Sequence, residues 1–161
     1  MDLIYLGKIV NTHGLKGEIR IISNFKYKKD VFQINNAIYI NNNKYIINSY
    51  RYHKIYDMIT LQNVNNIEAA EVLKGLDIYI KREDYIFDGF LNEDIIGLNV
   101  YDDDKYKGKV IEILETSKNE LFVIDGIKKH MVPNIPEFIK KVDLENKKIY
   151  IEYIRGLDNE D

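Results

Sequence analysis

Short apolar runs and period-two alternation recur along this chain, and clusters of Gly, Asn, Asp or Lys separate them. In the first half the pattern predicts strands at residues 4–11, 18–23, 37–40, 45–53, 57–62 and 77–81. One segment follows a helical period instead. Ile67, Ala70 and Leu73 share a face, Asn66 is placed to cap free backbone N–H groups, early acids suit a helix start, and Gly75 ends it. Six strands joined by tight turns around one short helix predict a small closed or nearly closed barrel. Residues 81–89 are polar and charged and read as a linker, which divides the chain into domains 1–86 and 87–161. A second β series follows at 97–101, 109–114, 121–125, 130–132 and 148–153, with an acidic turn at Asp102-Asp103-Asp104. Residues 134–141, with Pro136 ahead of Phe138-Ile139, predict a short helix or helical turn on that second barrel, and residues 158–161 read as a frayed tail. The fold class expected is all-β, as two small barrels.

Composition agrees with that pattern. The 161 residues include 13 tyrosines and many isoleucines, residue types that suit a pleated, half-buried surface. There is no cysteine, which removes disulfides, thiol nucleophiles and thiolate metal sites and fits a reducing compartment. No run reaches the ~18 apolar residues of a membrane span. The opening Asp2-Leu3-Ile4-Tyr5-Leu6 reads as a strand rather than a basic signal peptide. A soluble, cytoplasmic protein is expected. The net charge of -3 conceals an asymmetry: residues 1–82 carry 12 Lys/Arg against 7 Asp/Glu, whereas residues 83–161 carry 11 against 19. A basic half and an acidic half suggest surfaces with different partners.

The segment from Gly7 to Arg20 holds the most informative chemistry. It reads as strand, tight loop, strand, with Gly14 and Gly17 free to take positive φ and Thr12, His13 and Lys16 left at an exposed tip. Such a tip can grip a phosphate or a backbone without any reaction, although a Gly-x-x-Gly loop alone is also an ordinary turn. Lys26, Lys28 and Lys29 beside Tyr27 form the densest basic patch, read as an exposed loop that could touch phosphate. Tyrosines such as Tyr39, Tyr45, Tyr50, Tyr52 and Tyr56 could stack on bases, but filling barrel interiors or pairing across strands is the expected role for most of them. His13, His53 and His130 lack metal-ligand spacing, and no P-loop, dinucleotide fingerprint or nucleophile elbow occurs. Neither catalysis, a cofactor nor a metal is expected. The enzyme alternative is a hydrolase or metal-dependent nuclease using His13 and the Asp102–Asp104 turn.

The order of these residues resembles the RimM family of ribosome maturation factors. The Gly7-Lys8-Ile9 strand followed by His13-Gly14-Leu15-Lys16-Gly17-Glu18 is similar to that family's opening signature. Ala69 to Gly75, Asp94-Ile95-Ile96-Gly97-Leu98-Asn99-Val100, Gly108-Lys109-Val110, Val132-Pro133, the stretch from Phe138 to Asp143, and Gly156-Leu157 fall in the family's order. The resemblance implies a translation-factor-like N-terminal barrel and a C-terminal PRC-barrel. It also implies a monomeric, non-catalytic partner of the small ribosomal subunit that aids maturation of 16S rRNA in the head. The implied protein partner is the nineteenth small-subunit protein, bound through Phe90, Leu91 and Asp94. The candidate ribosome or rRNA contacts are Thr12, His13, Gly14, Lys16 and Gly17 of the tip, with Lys26, Lys28 and Lys29 of the basic patch. The sequence departs from the pattern in three places: Phe90-Leu91 replace two tyrosines, Asn134 replaces an aromatic residue, and Ile154-Arg155 replace Pro-Glu. The alternative outside ribosome assembly is a general RNA-binding β-barrel.

Overall fold

The computed structural model describes residues 3–152. Met1, Asp2, the end of the strand expected at 148–153, the Ile154-Arg155 and Gly156-Leu157 positions and the 158–161 tail lie outside the described residues. The chain divides into two compact units, one ending at Asp88 and the other beginning at Gly89.

The first unit contains β1 (Leu3–His13), β2 (Glu18–Ile22), α1 (Lys28–Val31), β3 (Ala37–Ile40), β4 (Asn43–His53), β5 (Tyr56–Leu61), α2 (Ile67–Glu71) and β6 (Asp77–Lys81). Its strands close into a barrel in the order β1-β2-β5-β4-β3-β6. Alternation explains the interior: Ile19 and Ile21, Ile38 and Ile40, and Ile78 and Ile80 are almost fully buried. Each such side chain contributes roughly 1.5–3 kcal/mol through removal from water.

Strand β1 closes the barrel because it serves two neighbours. Its first half pairs with β6 and its second half with β2, and bulges interrupt the register between Tyr5 and Gly7 and between Ile9 and Asn11. The first bulge shifts the inward positions from strict alternation to Ile4, Leu6 and Ile9. Gly7 sits at the changeover, where a Cβ would lie 2.5 Å from the Ile22 carbonyl oxygen. Ser23 locks the crossing by donating its hydroxyl to the Leu6 carbonyl.

Two short helices pack at opposite ends of β2. At the β2 start, α2 is capped by the Asn66 side chain, which accepts from the Ala69 N–H at 2.8 Å, and it buries Ala70. At the β2 end, α1 occupies the region expected to be an open lysine-rich loop. Lys28 there bonds the carboxylate of Asp57, a fully buried residue, at 2.9 Å and the Ser23 carbonyl at 3.1 Å. The Tyr50 hydroxyl donates to the other Asp57 oxygen at 2.6 Å, and its ring stacks on Phe32 with centroids 5.6 Å apart. The stretch read as a linker is also built into this unit. Lys81 ends β6, Arg82–Asp84 form a 3-10 turn, and Phe87 is buried between Tyr27 and Tyr85 in a ring stack.

The second unit contains α3 (Asn92–Ile95), β7 (Asn99–Asp102), β8 (Lys105–Glu115), β9 (Glu120–Asp125), β10 (Lys129–Pro133), β11 (Ile139–Asp143) and β12 (Lys148–Ile151). These form one six-stranded sheet in the order β10-β9-β8-β7-β12-β11. Neighbours are antiparallel except β7 and β12, which run parallel. A single apolar cluster takes Val132 from one end of the sheet, Val110 and Phe122 from its middle, and packs Ile139 and Val142 from the other end, so the sheet curls around it. Residues 134–141 need correction. Phe138 and Ile139 donate to the Ile135 carbonyl in a helical turn, but from Ile139 the chain is strand β11. Lys140 and Lys141 interrupt the apolar pattern there and conceal the strand. Among the described residues no helix is long and apolar enough to cross a membrane.

Gly7→Ala forces a methyl group against a backbone oxygen that the β1–β2 ladder holds in place. Urea unfolding followed by tyrosine fluorescence is expected to show a loss of about 1–3 kcal/mol, as for other overpacked sites. An unchanged midpoint would mean that the crossing is loose.

Candidate functional site

The Thr12–Gly17 tip joins β1 to β2 and is held from two sides. Gly14 and Gly17 adopt φ of 76° and 84°. The two glycines differ in what surrounds them. A Cβ on Gly14 would meet nothing within 4 Å, whereas one on Gly17 would lie 2.8 Å from the Asn66 carbonyl oxygen. Gly17 therefore permits both the turn and the close approach of the loop that enters α2. The Thr12 hydroxyl donates to the Glu71 carboxylate on α2 at 3.0 Å. The His13 Nδ1 accepts from the Arg20 guanidinium at 2.9 Å, which places the proton of a neutral ring on Nε2. Lys16 is exposed, and beside it Leu15 is 82% exposed. The result is a braced turn presenting a cation, an imidazole and an unpartnered apolar side chain.

The outer wall next to the tip is organised by charge that sequence reading missed. Arg51 on β4 forms a two-pronged bond to Glu18 on β2, at 2.8 and 2.9 Å, across the intervening β5. Met58 on β5 is opposite both Arg20 and Arg51 in the strand register, and it is fully buried although the neighbouring inward position is Ile59. The arginine stems supply that cover. The hydrogen bond from Arg51 holds the Glu18 carboxyl below its usual range, against the upward push of burial. The signal for this strap was a charged pair at outward strand positions, but strand order was needed to see that the two residues meet.

The basic patch splits by role. Lys26 is exposed and lies over the Tyr27 ring at 5.4 Å, and Lys29 is exposed. Lys28 is committed to Asp57, the Ser23 carbonyl and the Tyr52 ring. Its expected place in a free phosphate-binding set does not fit this geometry, because its ammonium closes the barrel end. Burial and the hydrogen bond to Asp57 also push the Tyr50 phenol far above its ordinary value. The tyrosines considered for base stacking divide likewise: Tyr39 is buried and Tyr50 is half-buried against Phe32 and Asp57, while Tyr52 is 57% exposed.

Of the three residues implied for protein binding, the structure leaves one in the open. Leu91 is 2% exposed and Phe90 is 39% exposed. Leu91 is therefore a packing residue rather than a contact. Asp94 accepts from the Leu91 N–H at 3.0 Å and so fixes the start of α3. Phe90 borders a cavity of about 320 Å³ that Ile113, Phe122, Ile135, Ile139 and Val142 also line. Asn134 lies at this cavity and bonds Glu120 through both its backbone and its side chain. The small amide stands where the resemblance expects an aromatic ring. Among the described residues no group of three or more His, Cys, Asp or Glu side chains could hold a metal.

Lys28→Met would leave the Asp57 carboxylate buried without its cation. Chemical unfolding should show a loss of about 3 kcal/mol, typical of a broken buried pair; a phosphate-contact role alone would leave stability unchanged. For the outer strap, the sign follows from the lowered Glu18 value. A carboxyl held low stabilises the fold above its ordinary value of 4.5 and loses that contribution as pH falls through its folded value. Arg51→Met should therefore be less stable than the parent at pH 7, with the gap narrowing in acid; a gap constant from pH 7 to pH 3 would contradict the pairing.

Residues 4–85 match the RimM N-terminal domain, and residues 92–157 match the RimM PRC barrel domain. A protein of Staphylococcus aureus strain NCTC 8325 / PS 47 named ribosome maturation factor RimM is 43% identical over 96% of this chain and 98% of its own length. Its counterpart in strain JH9 is 42% identical over the same shares. A crystal structure of a 16S ribosomal RNA processing protein RimM from Pseudomonas aeruginosa covers 95% of this chain and 98% of its own, at 20% identity and a TM-score of 0.49. Two domain matches in the right order, with full-length relatives above 40% identity, show that this chain belongs to the RimM family.

Proposed function

We propose that this protein is a non-catalytic assembly factor for the small ribosomal subunit. It binds the head of the pre-30S particle, chiefly through the nineteenth small-subunit protein, and aids maturation of 16S rRNA. The observation that carries this reading is the 43% identity, over nearly the full length of both chains, to a relative named as a ribosome maturation factor. Binding energy and release, without bond breaking, are the means. Thr12, His13, Lys16, Lys26 and Lys29 are offered as particle contacts, with Gly14 and Gly17 shaping the tip. Phe90 is the anchor for the protein partner, because it is the exposed aromatic at the rim of an apolar cavity. Residues 89–161 carry 16 acidic against 11 basic side chains, a balance that suits a basic ribosomal protein. No enzyme activity, cofactor or metal belongs to this reading, and the place of work is the cytoplasm.

Gradient sedimentation of cell extract tests it. The protein should travel with free small subunits, and its depletion should cause precursor 16S rRNA to accumulate. Phe90→Asp should weaken co-sedimentation about tenfold or more, as loss of an aromatic hot spot does, with the circular dichroism spectrum unchanged. Absence from free small-subunit fractions, together with normal rRNA processing on depletion, would end the proposal.

A further inference from the structure

A groove of about 460 Å³ runs along the outer wall of the first barrel, lined by Tyr5, Leu6, Lys8, Val10, Ile22, Asn24 and Phe25. It opens where β1 bulges between Tyr5 and Gly7 and changes partner. Its volume lies within the about 300–1,000 Å³ of small-ligand clefts. We infer that this groove receives an unpaired nucleobase of an RNA strand, with Lys8 and Lys26 placed for the flanking phosphates. The inference rests on the proposed role in rRNA maturation and names a contact within it.

The aromatic residues of this unit differ in what they have left to offer. Tyr27, Phe87 and Tyr85 are stacked on one another, with centroids 4.9 and 5.5 Å apart. Phe32 and Tyr50 are stacked as well. Tyr5 and Phe25 touch other rings only in edge-to-face fashion. Tyr5 meets Tyr79 at 5.8 Å and 72°, and Phe25 meets Phe87 at 5.6 Å and 67°. Each is fixed by those contacts, and neither carries a parallel ring among the described residues. Tyr5 is 51% exposed. Two immobilised rings at an apolar groove offer stacking surface at little entropic cost.

Polar groups complete the set. Asn24 is exposed and lines the groove, and its amide can both donate to and accept from a base edge. Lys8 is exposed and has no carboxylate within ion-pair distance among the described residues. Lys26 is exposed beside Phe25 in the sequence. Asp77 lies directly across the strand register from Lys8. Two exposed lysines, neither in an ion pair among the described residues, favour a polyanion over a segment of a basic ribosomal protein. Stacking on a π-face tolerates any base, so the ligand is single-stranded RNA rather than a defined sequence.

The test uses the full chain and fluorescein-labelled octaadenylate and octauridylate in anisotropy titrations at several salt concentrations. Tyr5→Leu keeps an apolar side chain beside Tyr79 but removes the π-face, and should weaken binding about fivefold or more. Lys8→Ala should lower the salt slope by about 0.7, the value for one phosphate contact on a single strand. Asp77→Asn should strengthen binding. The inference falls if the wild-type chain binds neither oligonucleotide, or if folded Tyr5→Leu binds as the wild type does. It falls too if Tyr5→p-benzoylphenylalanine, irradiated on pre-30S particles, crosslinks to protein and not to RNA. Wild-type co-sedimentation with free small subunits alongside any of these results would remove the groove assignment alone, and the assembly role would stand.

Discussion

Closure of the first barrel depends on β1 being shared between two partners. A strand that pairs with β6 at its beginning and β2 at its end must turn sharply between them, and two bulges make that turn. Gly7 is required at the crossing because the Ile22 carbonyl occupies the space of a side chain. Closure removes the exposed edges that a six-stranded sheet would otherwise present. It also allows isoleucines from every wall to meet in one interior. The groove beside Tyr5 opens at the same crossing, so the structural solution and the candidate RNA contact share a cause.

Charge on this barrel serves two purposes that composition cannot separate. Lys28 and Arg51 are fixed to Asp57 and Glu18, where they close an end and strap the outer wall. Lys8, Lys16, Lys26 and Lys29 stay exposed. The basic excess also narrows when counted to the structural boundary: residues 1–88 carry 12 Lys/Arg against 10 Asp/Glu. Any pull this barrel exerts on a polyanion would therefore be local, set by the lysines that are in no ion pair among the described residues, rather than a property of the whole unit.

The second unit reaches a compact core differently. Its terminal strands β10 and β11 share no ladder, and the sheet curls around Val110, Phe122 and Ile149. The cavity at Phe90 lies between residues of β8 and β9 on one side and β11 on the other. Asn134 holds Glu120 at this place instead of filling it.

Most of the architecture was legible in the amino-acid order, because a strand's burial pattern has period two and is local. The first six strands, the Asn66 cap and the positive-φ glycines of the tip all follow from nearest neighbours along the chain. Strand β11 escaped because lysines interrupt its apolar alternation, and α1 escaped because its four residues carry no helical repeat. What only the tertiary structure decided is which groups meet. Lys28 and Asp57 are far apart in sequence, as are Arg51 and Glu18, and nothing local says that they pair. The same holds for Leu91, whose burial no local pattern announces. A polar or aromatic side chain becomes a scaffold or a contact according to its neighbours in space, and closure of the β-sheets chooses those neighbours.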